Sequence, residues 1–179
     1  MINKNVQFLG VFLWIIIGVV GRLIVHIPDV TPLTSLCLLA PTVFSKRQSF
    51  LIMLIILLLS DLCLHFLFHY SAFGSWTLFT YSAWFGVIFV GFLLAKKLTL
   101  FRALYFTFFA SLAFWIWTNF GTWATTTLYS HDLHGLMNCY IAALPFLRNS
   151  IVGSCVWTGV LLIHRFFRHD KIHSHIPAF

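Results

Sequence analysis

The chain has 179 residues, of which 60% are hydrophobic and 8% charged, with no Glu and only four Asp. A water-facing domain is about a quarter charged, so an ordinary soluble domain is excluded, and the length allows one membrane domain with nothing appended. The net charge of +7 sits at the ends of apolar runs, where it suits anionic lipid rather than nucleic acid.

Six apolar segments follow in chain order. The first, about 6–25, is long enough to span and is closed by no A-x-A-like cleavage site. It reads as a retained first span rather than a signal peptide. The second, about 33–45, opens after Pro32, carries Pro41 and is short. It must tilt against partners, extend into its flanks or be re-entrant. The third, about 48–68, is the most apolar; the fourth and fifth cover about 76–95 and 101–120, and the sixth, about 139–166, holds Pro145 near one end. A segment of ~20 residues at ~1.5 Å per residue covers a hydrocarbon core of ~30 Å. Runs that are apolar for whole turns, without alternation, exclude a transmembrane β-barrel. The expected fold is an all-α integral membrane protein, a single domain over residues 1–179 built as a six-transmembrane-helix bundle. Close helix contacts in lipid use small residues, for which Ser82-x-x-x-Gly86, Gly153 and Gly159 are candidates. Cys37, Cys63, Cys139 and Cys155 show no C-x-x-C spacing and read as small buried hydrophobes.

Charge orients this bundle. Nine of the eleven Lys and Arg residues lie before the first segment, between the second and third, between the fourth and fifth, or in the tail. The intervening gaps, about 26–32, 69–76 and 119–138, hold none; they carry His, Asp and aromatic residues instead. Positive charge marks the cytoplasmic side, so both termini are expected inside and the three polar, aromatic loops outside.

Ionisable residues inside apolar segments are costly and mark partners or function. Asp61 lies just past the middle of the third segment, Arg148 falls at a comparable depth in the sixth, and Arg22 sits where it can snorkel outward. Asp61 and Arg148 are expected either to pair as buried ions or to line an outward cavity. Asp61, His65 and His69 recur at i, i+4 and i+8 and share one helix face. Two His residues at i, i+4 can chelate a metal, with His131 and His134 from the last outer loop completing a site. A membrane metalloprotein or metal-uptake protein is therefore the alternative to a polar ligand cavity. Trp76, Tyr81, Trp84, Trp115, Trp117, Trp123 and Tyr129 gather toward the outer half, as an interfacial belt or as stacking surfaces for a flat ligand. No Walker A, nucleophile elbow or HExxH motif occurs, and the absence of Glu removes a common general acid–base. No enzymatic activity, cofactor or protein-bound metal is expected.

The order of the polar residues carries a resemblance. Arg22-x-x-x-His26-x-Pro28-Asp29-x-Thr31-Pro32 ends the first segment, and Leu59-Ser60-Asp61 lies in the third. Thr118-Asn119-Phe120-x-x-Trp123 follows the fifth, and Gly135-Leu136-x-x-Cys139-Tyr140-x-Ala142-Ala143-x-Pro145-Phe146-x-Arg148-Asn149 enters the sixth. Nearly the whole chain resembles an uncharacterised family of six-span bacterial membrane proteins, itself similar to the substrate-binding (S) components of energy-coupling factor vitamin transporters. It is also similar to the solitary cobalamin-transporting S components, where the counterparts of His26, Asp61, Tyr81 and Arg148 would face the ligand. The resemblance implies a bacterial inner-membrane protein that binds and translocates a vitamin-like small molecule from outside; taken with the polar residues above, the expected ligand-binding set is Arg22, His26, Asp61, His65, Tyr81, Asn119, Trp123, Tyr140 and Arg148. Two features depart from those families. The 71–76 loop lacks the cobalt-binding Cys expected of the cobalamin group, and the face of Gly10, Trp14 and Gly18 lacks the Ala-x-x-x-Ala pattern through which S components dock on a shared ATPase module.

Overall fold

The computed structural model describes the backbone of residues 4–24 and 29–173, and the side chains of 8–24 and 29–163. Six helices follow one another: α1 (Lys4–Leu23), α2 (Leu33–Val43), α3 (Lys46–Phe68), α4 (Thr77–Ala95), α5 (Leu100–Thr125) and α6 (Leu133–His173). Four are long and apolar enough to cross a membrane: α3, α4, α5 and the Leu133–Ile163 part of α6. The apolar part of α1 covers Phe8–Leu23.

Neighbouring helices alternate in direction, as specific contacts show. Asp61 meets Tyr81 and Phe50 meets Phe92, so α3 and α4 are antiparallel. Trp117 meets Ser82, and Ser75 meets Thr125, which makes α4 and α5 antiparallel. Tyr140 meets Ile116 and Thr158 meets Thr107, so α5 and α6 also run oppositely. Arg22 meets Ser60, and a Cβ at Gly18 would press on Ile56, so α1 and α3 run in parallel. Lys46, Arg47, Lys96, Lys97 and Arg102 therefore share one end of the bundle, the basic end. The links 69–76 and 126–132 share the other, the aromatic end.

At 11 residues α2 is the shortest helix, and it is the hub of the packing, touching all five others. Residues Leu33 through Ala40 are all buried, as an element apolar all round must be. Its shortness is offset by the extended Phe44–Ser45 link, and Phe44 packs edge-on against Trp14 at 5.4 Å. Ser45 then starts α3 with a capping box that includes Gln48. Close approach to α2 is set by Gly91, where a Cβ would lie 2.5 Å from the Leu38 carbonyl oxygen. Polar glue adds to it. Thr107 lies 2.9 Å from Thr158, which donates to Ser35, and Ser35 donates to the Ser154 carbonyl, so buried hydroxyls tie α2, α5 and α6 together.

Several expectations change. Of the small residues singled out above, Gly153 makes a close contact, 2.9 Å from a Cβ to Val30 Cα, whereas Gly86 and Gly159 have open space. Ser82 and Gly86 instead line an apolar groove between α4 and α5. The expected 119–138 loop shrinks to 126–132, because α5 continues to Thr125 and α6 starts at Leu133. Hydropathy falls there, but the backbone stays helical, and the Thr118, Thr122 and Thr125 hydroxyls satisfy themselves on carbonyls four residues earlier. Asp132 meanwhile accepts from the Gly135 N–H at 2.6 Å and starts α6.

Candidate functional site

Among the described residues, and apart from the apolar α4–α5 groove, two polar-lined cavities open in the half of the bundle toward the aromatic end. The smaller, of about 180 Å³, is lined by Arg22, Asp61, Leu64, the 70–72 segment, Trp76 and Tyr81 among others. At its base Arg22 Nη1 lies 2.6 Å from Asp61 Oδ1 and 2.8 Å from Ser60 Oγ. The Tyr81 hydroxyl donates to the other carboxylate oxygen at 2.7 Å. Both oxygens of Asp61 are thus engaged, as a carboxylate only 10% exposed requires. The arrangement revises two expectations. Arg22 turns inward rather than toward water, and it, not Arg148, is the ion-pair partner of Asp61.

Arg148 lies at another level and on another face. Tyr81 and Ser82 are level with Trp117, and Trp115 bonds the Ala143 carbonyl, so Arg148 lies at least a turn nearer the basic end than Asp61. On a helix of ~100° per residue it points roughly opposite to Phe146 and Ser150, which face the second cavity. It is exposed, among residues such as Ile141, Leu144 and Val152 on the outside of α6.

The larger cavity, of about 270 Å³, lies among the start of α2, α4, α5 and α6. Its wall is aromatic, from Trp84, Phe114, Trp115 and Phe146, and its polar groups are Asp29, Thr31, Thr34, Thr118, Asn119 and Ser150. Trp84 packs on Phe114 at a centroid distance of 4.2 Å. Trp115 is fixed by donating to the Ala143 carbonyl at 2.9 Å and by edge contact with Tyr140. Asp29 adopts φ 63°, a left-handed conformation that Asp and Asn tolerate better than most residues. The Gly153–Val30 contact holds its segment against α6. Asp29 is exposed and lines the cavity, and desolvation by the neighbouring protein raises its carboxyl pKa above the ordinary value.

The remaining expected site residues scatter. Asn119 lines the larger cavity. His65 is exposed, with Nδ1 2.8 Å from the Tyr70 carbonyl oxygen, so it fastens the end of α3 rather than lining either cavity. Trp123 donates to the Ser130 carbonyl and packs on His131, closing the 126–132 turn. The Tyr140 hydroxyl donates to the Ile116 carbonyl at the α5–α6 contact. His26 lies outside the described residues. His131 and His134 approach Thr126 and Asn138, respectively. Among the described residues no group of three or more His, Cys, Asp or Glu is placed to hold a metal ion. Sequence reasoning passed over Thr34, Phe114 and Ser150 as site residues because each is an ordinary residue within an apolar run. The signals that were present were Asp29-x-Thr31 and Thr118-Asn119, four residues that all line this cavity.

The fold and these cavities define an all-helical protein with several membrane-length apolar helices and partly enclosed polar–aromatic cavities in one half. Over residues 2–174 the chain matches a family of unknown function, DUF6580, and it belongs to that family. No curated protein and no solved structure matches it.

Proposed function

We propose that this protein is an S-component-type membrane protein that captures a vitamin-like micronutrient from the extracytoplasmic side of the bacterial inner membrane. One observation carries the reading. Polar residues stranded in or beside apolar segments converge at the aromatic end, with Arg22, Asp61 and Tyr81 at one cavity and Asp29 and Asn119 at the other. Ionisable groups kept at such depth mark ligand paths or partners. The absence of Lys and Arg from 69–76 and 126–132 supports an outward orientation for that end. In this reading all six helices cross or line the membrane, α2 with the help of its flanks, and both termini are cytoplasmic.

The mechanism is binding without chemistry. Aromatic walls stack a ring, polar groups fix its orientation, and the Arg22–Asp61–Tyr81 cluster ties α1, α3 and α4 together at the base of the smaller cavity. A volume of about 270 Å³ lies just below the ~300–1,000 Å³ of drug-sized pockets. It favours a compound of one or two rings over a corrinoid. The sequence has no nucleotide-binding motif, so concentrative uptake would need an energy-coupling ATPase partner, and the protein alone would only equilibrate its solute.

Mass spectrometry of small molecules released from the purified, acid-denatured protein tests the reading. A near-stoichiometric compound that disappears in Ser150→Phe, which fills the larger cavity, supports it. Protein that is folded and carries none, after expression in rich medium, counts against it.

A further inference from the structure

The larger cavity also constrains the chemistry of its occupant, an inference that rests on the capture reading above. Three of its hydrogen-bond donors are already engaged, whereas the Trp84 indole N–H is buried without a partner among the described residues and the Thr31, Thr34 and Ser150 hydroxyls can donate or accept. Asn119 Nδ2 donates to the Trp115 carbonyl at 2.8 Å, and the Thr118 hydroxyl donates to the Phe114 carbonyl at 2.9 Å. The Trp115 indole N–H is held by Ala143. Toward the cavity these side chains present oxygens: the Asn119 amide oxygen and the lone pairs of Thr118, both acceptors. Asp29 adds a carboxylate. Among the described residues it is the only formally charged group on the lining, and it has no ion-pair or hydrogen-bond partner there, since Arg22 is taken by Asp61. Four aromatic rings complete the wall, and aromatic faces attract cations.

We propose that this cavity binds a small, flat organic cation that donates hydrogen bonds, a protonated amino- or amidino-substituted aromatic ring. Its ring lies among Trp84, Phe114, Trp115 and Phe146, and its N–H groups face Asp29, Asn119 and Thr118. An anion of the same shape would meet one carboxylate and several acceptor oxygens, with no basic residue among the described lining to offset them. A neutral amide would satisfy some acceptors but gain little from Asp29.

Three near-isosteric probes separate these cases: benzamidinium, benzamide and benzoate, titrated at neutral pH by calorimetry and tryptophan fluorescence. Benzamidinium is expected to bind at least tenfold more tightly than benzamide, and benzoate most weakly. Asp29→Asn should bring benzamidinium down to the benzamide level with unchanged thermal stability, because Asn also accepts a left-handed backbone. Ser150→Phe should abolish binding of all three. Equal or preferential binding of benzamide or benzoate would overturn the cation while leaving small-molecule capture standing, as would an Asp29→Asn variant with undiminished benzamidinium affinity. Binding of none of the probes would also overturn the proposal, and capture would then stand or fall on the co-purified compound alone.

Discussion

Removing one partner of the Arg22–Asp61 pair should destabilise the bundle far more than removing both. Asp61 is 10% exposed and Arg22 21%, and they meet at 2.6 Å. Stranding one charge of such a pair costs about 3–5 kcal/mol when it is dry. The 180 Å³ opening beside Arg22 admits some water, so the lower end applies, about 3 kcal/mol. Asp61→Asn keeps an acceptor for the Tyr81 hydroxyl and leaves Arg22 unpaired, while Arg22→Gln leaves Asp61 charged with Tyr81 as its remaining donor. The double variant replaces ions with neutral groups that can bond each other and should return to within about 1 kcal/mol of the parent. Tyr81→Phe removes one hydrogen bond to a carboxylate and should cost about 1.5–3 kcal/mol. Thermal unfolding in detergent can be followed with a thiol-reactive dye, because Cys37 and Cys139 are buried at 0% and 2% exposure. At about 2–4 °C per kcal/mol, each charge-stranding single should lower the midpoint by roughly 6–12 °C. Singles that shift it by under about 2 °C, or a double variant equal to the sum of the singles, would refute a coupled pair at this position.

Other outcomes follow from the same geometry. Gly91→Leu should lose most folded protein, because its Cβ would fall 2.5 Å from the Leu38 carbonyl oxygen on a buried helix; the equivalent change at Gly86, which faces open space, should be tolerated, as yields after size-exclusion chromatography would show. Arg148→Gln should leave the affinity of the larger cavity's ligand unchanged, because Arg148 lies on the far face of α6; weakened binding by calorimetry would place it in the site instead. Asp132 has its pKa lowered by the Gly135 N–H and the Ser130 hydroxyl, so its hold on the start of α6 is present above the unfolded value of 3.8 and is lost as pH falls through the lower folded value. Amide exchange at Gly135 and Leu136 should accelerate in that acid window beyond its intrinsic pH dependence, and Asp132→Asn should remove the extra step.

Much of the architecture was legible because helices in an apolar chain announce themselves by length. Each of the six helices overlaps one expected segment, α5 and α6 overrunning theirs toward the aromatic end, and the charge alternation agrees with the antiparallel order of α3 to α6. What misled was treating loss of hydropathy as loss of helix. Residues 119–125 are polar and aromatic yet helical through their own backbone bonds, and 133–138 belong to α6. Legibility of the site followed the same rule. Arg22 and Asp61 were conspicuous as ionisable residues in apolar segments, Tyr81 and Asn119 came through the resemblance and its motifs, and all four line a cavity. Arg148 was equally conspicuous, but sequence depth does not report the face of a helix, and its face is external. His65 shares a helical stripe with Asp61 in sequence, yet it sits one turn from the helix end and is held by the Tyr70 carbonyl. Thr34, Phe114 and Ser150 had no signal, because three unremarkable residues become a cavity wall only once α2, α5 and α6 pack.

The central claim, an outward-opening cavity that captures a small molecule, is tested most directly by ligand protection of a thiol at the cavity. Thr31→Cys, in a background with the four native cysteines replaced, places one reactive group on the lining of the larger cavity. In intact cells an impermeant thiol reagent should modify it, and the compound released from the wild-type protein should slow that modification in proportion to its occupancy. Modification seen only in inside-out vesicles, or a rate indifferent to saturating compound, would contradict the account.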